Sequence, residues 1–498
     1  MTDGRVVHID ALMAESGVKF GTSGARGLVS DMTDEVCYAY TLGFIQYLEA
    51  AGELKTGKGV AVGGDLRFST DRIMKAVGGA VRDRGYVVEN CGTLPTPALA
   101  YYGMVNEMPT AMVTGSHIPD DRNGIKYTKK DGEILKPDEA AIKRQPVTLP
   151  HGLFDGQGMF AAPVELPAVK SEAGDQYIKR YLDYFSEGCL EGKRIGAYQH
   201  SAVGREHMIQ VLTGLGAHVT PLGFSEAFIP VDTEAVRPED TAAFKSWAEE
   251  YGFDAIVSTD GDSDRPLIGD ENGTLIRGDV VGILCAAQLG ADAVVAPVSC
   301  NSALEKCGLF ERTYRTKIGS PYVIEGMQQA LGGGAKRVVG YEANGGFLLA
   351  SDIRMHGRVL KALPTRDALL PHIAVVLRSI SKNMKLSELV AELPQRFTFS
   401  NRLTDFPTEK SREKLAAFNT SDSETDRQAL HDIFFKAFGA VSSVDSTDGI
   451  RITFESREVV HLRSSGNAPE FRCYCEAATE YRAREMTDIC LGIMESWR

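Results

Sequence analysis

Short runs of consecutive apolar residues alternate along the chain with stretches in which apolar positions recur every three or four residues. The first pattern suits strands buried on both faces, and the second suits helices that cover them. Gly59–Gly63 (Gly-Val-Ala-Val-Gly) reads as a buried strand, and Asp71–Arg84, with Ile73, Val77 and Val81 four apart, as a helix. Val87–Val88, Thr110–Val113, Ile195–Tyr198, Ala255–Ser258, Val294–Val298 and Val338–Val339 read as further strands. Arg205–Leu215, Ala243–Tyr251 and Pro321–Leu331 read as helices. This repeated strand–helix rhythm predicts layered α/β sheets and not one barrel.

The rhythm breaks at three places. Pro146 to Pro167 is rich in Pro and Gly and reads as a linker, Gly269–Gly278 as a polar turn region, and the pattern changes again around Lys382–Phe397. Beyond that point Gly449–Phe454 and Val459–Arg463 look like an antiparallel hairpin. A chain of 498 residues also exceeds one hydrophobic core, which rarely grows past about 250–300 residues. The expectation is four domains around a central cleft: residues 1–162, 163–275 and 276–385 as three similar α/β mixed-sheet domains, and 386–498 as an α+β domain. Val280 to Cys300 is apolar over about the length of a membrane span. Gln288, Gly290, Asp292 and Pro297 interrupt it, so a buried helix (Val280–Leu289), a turn and a buried strand (Ala293–Val298) are expected instead.

Charge narrows the partners. The chain carries 54 basic and 67 acidic residues, a net charge of −13, which argues against nucleic acid or an anionic membrane. Local arginines can still line a positive cleft. No apolar leader marks the amino terminus, and nine cysteines without paired spacing suit reduced thiols, so a cytoplasmic protein is expected. Cys473 and Cys475 share one face of a strand and read as packing.

Four loops carry candidate chemistry. In Thr114-Gly-Ser-His-Ile-Pro-Asp-Asp-Arg-Asn-Gly-Ile-Lys126, small residues precede Ser116 and should leave its hydroxyl exposed, with His117 and Lys126 available for acid/base work or phosphate binding. In Ser258-Thr-Asp-Gly-Asp-Ser-Asp-Arg-Pro266, Asp260, Asp262 and Asp264 stand two apart just past a strand, so their carboxylates can converge on a hard cation such as Mg²⁺. Arg265 adds a bidentate phosphate donor. Gly340-Tyr-Glu-Ala-Asn-Gly-Gly-Phe347 offers Glu342 and Asn344 to sugar hydroxyls. Leu462-Arg-Ser-Ser-Gly-Asn-Ala-Pro-Glu-Phe-Arg472 offers Arg463, Ser464, Ser465, the backbone around Gly466 and Asn467, and Arg472 as an anion nest. Each loop alone also reads as an ordinary polar turn. Phe20–Gly27 lacks dinucleotide spacing, though its Arg26 can reach a phosphate, and Arg277-Gly-Asp279 reads as a surface turn.

In this order the four loops resemble those of the α-D-phosphohexomutase family over nearly the whole chain. The resemblance implies a phosphohexomutase that interconverts hexose 6-phosphate and hexose 1-phosphate. It makes Ser116 the phosphoserine and its phosphate a further ligand to Mg²⁺ beside Asp260, Asp262 and Asp264. Arg26, His117, Lys126 and Arg265 match family positions near the moving phosphoryl group, and Lys317 a lysine of the substrate loop. It also implies a bisphosphorylated hexose as activator, a small-molecule hexose phosphate as partner, and a monomer or homodimer. The sequence departs from the family at Ile118 (usually Asn), Ser320 (often His), Glu342-Ala-Asn-Gly-Gly346 and Asn467-Ala468. Three of these touch substrate recognition. Mannose is the first choice of sugar, with glucose and then glucosamine behind it. A hydrolase with an aspartate nucleophile and a silent sugar-phosphate binder are the readings from other classes.

Overall fold

The computed structural model describes residues 4–21, 24–55, 57–355, 357–420, 422–465 and 469–498. Four major sheets follow one another along the chain. In the first, parallel strands Gly59–Gly64, Val87–Thr93 and Thr110–Val113 continue into the antiparallel strands Arg122–Lys129 and Gly24–Leu28. The second pairs Arg194–His200 in parallel with His218–Phe224 and Ala255–Thr259, then turns antiparallel through Pro266–Gly269. The third repeats this with Ala293–Pro297, Arg312–Thr316 and Val338–Tyr341, then Phe347–Leu349 and Leu363–Asp367. The fourth is wholly antiparallel, in the order Phe397–Leu403, Phe471–Ala477, Val459–Ser464, Ile450–Phe454, Val441–Asp445. Three mixed α/β sheets and a last α+β sheet are therefore present, as the rhythm predicts.

One detail of topology places the chemistry. In each mixed sheet the last parallel strand turns back antiparallel, and the connecting loops are 114–121, 260–265 and 342–346. These three candidate loops thus occupy equivalent positions, just past the carboxyl end of a strand, where α/β sheets bind ligands. In the fourth sheet the candidate stretch lies between the paired strands Val459–Ser464 and Phe471–Ala477.

The central strands are apolar because helices cover both faces: Val60, Ala61, Val62, Val294 and Val295 are fully buried. In the helix Thr70–Asp83, Ile73, Val77 and Val81 form the buried stripe. One continuous core runs from Leu99 and Tyr177 through Ile195 to Val294 and Ile373, so the three mixed sheets are packed together. The apolar stretch 280–300 folds as the helix Gly278–Gln288 and the strand Ala293–Pro297. Among the described residues no helix is long and apolar enough to cross a membrane.

Four expectations change. The stretch 146–167 is not all linker, since Pro146–Pro150 pairs with Gly4–His8. Within the polar region 269–278, Leu275–Ile276 forms a short strand. Arg277–Asp279 is no surface turn: Asp279 is fully buried and accepts the amide of Asn301, because the next helix docks the tripeptide inward. Cys473 and Cys475 do meet a third thiol, Cys490 of the helix Glu480–Glu495, with sulfurs 3.6 and 3.9 Å apart in a dry core.

Three histidines are buried with their protonation suppressed. Burial pushes His200 down to about 4, His372 to about 3 and His461 to about 4. The unfolded chain, with histidines near 6.5, binds more protons than the native state below that pH, so stability rises with pH across this window. Acidification from pH 7 to 5 should therefore remove about 5 kcal/mol of stability, shared among the three sites. Denaturant titrations at both pH values check this; equal stabilities would contradict the buried neutral histidines.

Candidate active site

Thr110–Val113 ends with its chain pointing at the second sheet, and Ser116 follows in the left-handed region at φ 57°. A non-glycine residue holds that conformation only if its surroundings fix it. Arg67 does so. Its guanidinium donates to the carbonyls of Ser116 (2.8 Å), Ile118 (2.6 Å), Pro119 (2.7 Å) and Arg122 (3.0 Å), and its Nε to Asp65 (3.2 Å). Asp65 also accepts the hydroxyl of Thr114 (2.7 Å), which in turn accepts the Ser116 amide (2.8 Å). Sequence reading missed Arg67 and Asp65, which lie in a polar loop about fifty residues away and show their role only once the loops meet.

Ser116 is not exposed as expected; its exposure is 1%. The second loop closes over it, and the Ser116 hydroxyl donates to Asp260 Oδ2 at 2.6 Å. Close approach requires glycine at 261, where a Cβ would lie 2.7 Å from the Ser116 carbonyl oxygen.

Asp260, Asp262 and Asp264 are fully buried, with carboxylate oxygens all within 4.8 Å of one another. Lys126 Nζ donates to Asp262 (2.6 Å) and Asp264 (2.7 Å), and Thr96 to Asp262 (2.5 Å). Burial disfavours the Asp262 anion, but Lys126, Thr96 and Arg366 outweigh it and hold its carboxyl well below the usual range. Asp260 is pushed well up, by burial and then by Asp262 and Asp264. Two oxygens, Asp262 Oδ1 and Asp264 Oδ1, are buried without a hydrogen bond. Converging hard oxygen donors with unused lone pairs fit a divalent cation, so the triad can bind a metal ion.

Cations crowd the same point. Arg265 Nη1 donates to His117 Nδ1 at 2.9 Å, so the ring carries its proton on Nε2, 4.0 Å from Asp232. Burial, then Arg265 and Arg26, push His117 down to about 2. Arg26, on the strand Gly24–Leu28, is lowered to about 10 by burial and by Arg265. A depressed arginine and a depressed histidine gathered around Arg265 mark a place that favours an anion.

From the third sheet, Glu342 is buried, and Asn344 spends its Oδ1 on the Gly346 amide (2.9 Å). Gly278 permits the turn, because a Cβ there would lie 2.2 Å from the Gly345 nitrogen. The residue that joins this loop to the aspartates is Arg366: its Nε donates to Asp264 (3.0 Å) and its Nη1 to Glu342 (3.4 Å). Sequence reading missed it as well, since Pro364-Thr-Arg-Asp367 carries no motif. Lys317 is exposed, its ammonium 5.8 Å from the Tyr322 ring.

In the fourth sheet Arg463 pairs with Asp448 (3.0 Å), Ser464 accepts the hydroxyl of Ser411 (2.8 Å), and Ser465 is buried. Arg472 pairs with Glu470 (2.9 Å); the register sets it directly opposite Arg463, where two like charges repel. Gly466 and Asn467 lie outside the described residues.

Family models agree with this arrangement. Residues 17–147 match phosphoglucomutase/phosphomannomutase alpha/beta/alpha domain I, and residues 277–397 match domain III. A phosphomannomutase of Salmonella muenchen is 44% identical over 483 residues, covering 97% of this chain and 96% of that protein. The chain belongs to the phosphoglucomutase/phosphomannomutase family. A phosphomannomutase of Sinorhizobium fredii is 41% identical over 96% of this chain and 99% of its own. The fold is shared with N-acetylphosphoglucosamine mutase of Aspergillus fumigatus, solved with GlcNAc-6P and magnesium (TM-score 0.62, 13% identity, 99% of both chains).

Arg366 ties the aspartate loop of this family member to the loop that carries Glu342. Arg366→Lys keeps the charge but not the fork that reaches both carboxylates. It should lower kcat/KM about 10²-fold, the scale of losing one preorganised contact. Steady-state kinetics check this, and wild-type rates in the variant would refute the bridge.

Proposed function

We propose that the chain is a phosphomannomutase that converts mannose 6-phosphate to mannose 1-phosphate reversibly, with Ser116 as phosphoryl carrier. The observation that carries this reading is the Ser116 hydroxyl held on Asp260 at the centre of the aspartate triad, ringed by Arg26, His117, Lys126 and Arg265. Near-full-length identity of 44% and 41% to two phosphomannomutases supports mannose, with phosphoglucomutase as the alternative reading.

In this reading the phosphoryl bond to Ser116 Oγ breaks as a new bond forms to the free hydroxyl of a hexose monophosphate. That hydroxyl loses its proton, and Ser116 Oγ gains one. The bisphosphorylated hexose turns over and returns its other phosphate to Ser116, so a trace of bisphosphate acts as activator. Asp260, Asp262 and Asp264 would hold Mg²⁺ beside Ser116. When bound, it would supply charge neutralisation at the moving phosphoryl, where such reactions gain most of their catalysis. Arg265, Lys126 and Arg26 stabilise the same charge, and His117 donates through a neutral ring. Glu342 and Asn344 read sugar hydroxyls. Lys317 and Arg463, Ser464, Ser465, Gly466 and Asn467 anchor the distant phosphate, and Arg472 adds to them if released from Glu470.

We assign four domains at 1–162, 163–275, 276–385 and 386–498, and place the enzyme in the cytoplasm, as its nine unpaired cysteines support. It works as a monomer or homodimer.

Intact-mass spectra of wild type and Ser116→Ala, after incubation with Mg²⁺ and hexose bisphosphate, test the carrier. Wild type should gain one phosphoryl group and the variant none; a phosphoryl group on the variant would sink the assignment. Turnover of mannose 1-phosphate should exceed that of glucosamine 1-phosphate at equal concentration, and the reverse order would remove mannose as substrate.

A further inference from the structure

Among the described residues, hydrogen bonds join the fourth sheet to the third unit at two separate places. At one, Glu476 accepts the Ser302 amide (3.0 Å) and Arg277 donates to the Thr398 carbonyl (3.2 Å). The chain itself crosses between the units here, since Phe397 pairs with Ala477. The other contact is a single carboxylate, Asp448. The registers Val459↔Glu476 and Arg463↔Arg472 put the two places four residues apart along the same strands, about 13 Å. If the fourth sheet swings about the Glu476 end, where the chain crosses, the Asp448 end is the lip that would part.

Asp448 is placed rigidly. It lies in the turn between Val441–Asp445 and Ile450–Phe454, and Gly449 (φ 80°) follows it so closely on the next strand that a Cβ would lie 2.2 Å from the Leu462 carbonyl oxygen. His461 Nε2 donates to the Asp448 carbonyl at 2.6 Å. The two carboxylate oxygens then serve different units: Oδ1 accepts Arg463 Nε (3.0 Å), and Oδ2 accepts the amide of Ile318 (2.9 Å), next to Lys317. A carboxylate on Nε fixes the guanidinium plane and leaves Nη1 and Nη2 for a second, bidentate anion. Asp448, Arg463, Ser464 and Ser465 line one open cavity of about 410 Å³.

We propose that Asp448 is a positioning residue that couples closing of the fourth unit to presentation of Arg463. When the lip meets the Lys317 loop, the same side chain that receives the Ile318 amide aims Arg463 at the substrate's distant phosphate. When the lip opens, the carboxylate loses one of its two partners and the aim is relaxed. This rests on the reading of 463–467 as the phosphate anchor.

The test is a double-mutant cycle with whichever hexose 1-phosphate the wild type turns over. Asp448→Ala should raise KM about tenfold, the scale of one charge-assisted hydrogen bond, with a smaller fall in kcat. Arg463→Lys, which keeps the charge but has no Nε, should raise KM similarly. The double variant should be no worse than the worse single. Asp448→Asn, which keeps the shape, should show the same non-additivity at smaller amplitude and serves if the alanine variant fails to fold. Multiplicative effects of the two substitutions, an unchanged KM, or a loss confined to kcat would overturn the coupling while wild-type turnover stands. If the wild type turns over none of the sugars, the anchor reading falls and the coupling falls with it.

Discussion

Three carboxylates packed within 4.8 Å of one another, away from water, repel each other by about 3–4 kcal/mol per pair at an effective dielectric near 20. Such a cluster persists only because opposite charge reaches it from elsewhere, and the chain supplies that charge from two other sheets. Lys126 comes from the first and Arg366 from the third, both onto aspartates of the second. The electrostatic demand of one loop therefore fixes how three α/β units meet. It also explains how an overall net charge of −13 coexists with an anion site, since the local field is set by a handful of buried side chains. A divalent ion and a phosphoryl group would add two plus and about two minus charges to this balance, leaving it nearly neutral while the partners rearrange.

The architecture answers that demand by repetition. Each mixed sheet delivers its chemistry from the same place, the turn between its last parallel strand and the antiparallel strand beside it. The turns differ only in the residues they carry: a serine, three aspartates, a glutamate with an asparagine. Their positions are made exact by groups that never touch the centre. Arg67 holds the Ser116 loop in its left-handed conformation by filling four carbonyls, and Gly261 and Gly278 allow neighbouring loops to approach within contact. The fourth sheet is attached differently, through polar contacts of Glu476 and Asp448 with the third unit.

Much of this was legible in the sequence. Consecutive apolar residues between Gly-rich turns marked the parallel strands, because strands covered on both faces have no polar side to confuse the pattern. The aspartate spacing and the order of the loops marked the site. What the sequence hid is of two kinds. The strand Phe397–Leu403 is partly exposed and of mixed polarity, and in the helix Glu480–Glu495 charged residues separate the buried Ala483, Met486 and Cys490. Arg67, Arg366 and Asp448 act through partners tens to hundreds of residues away, so their neighbours in sequence carry no trace of the role. The small residues before Ser116 point to an exposed hydroxyl, but the loop that buries it comes from another sheet.

The claim on which the proposed chemistry turns is that Asp260, Asp262 and Asp264 form a divalent-cation site beside Ser116. Anomalous diffraction from crystals of the enzyme treated with hexose bisphosphate and grown with Mn²⁺ tests it directly. One strong peak among Asp260, Asp262 and Asp264, next to Ser116, is expected. A peak elsewhere, or none at the triad, would contradict it.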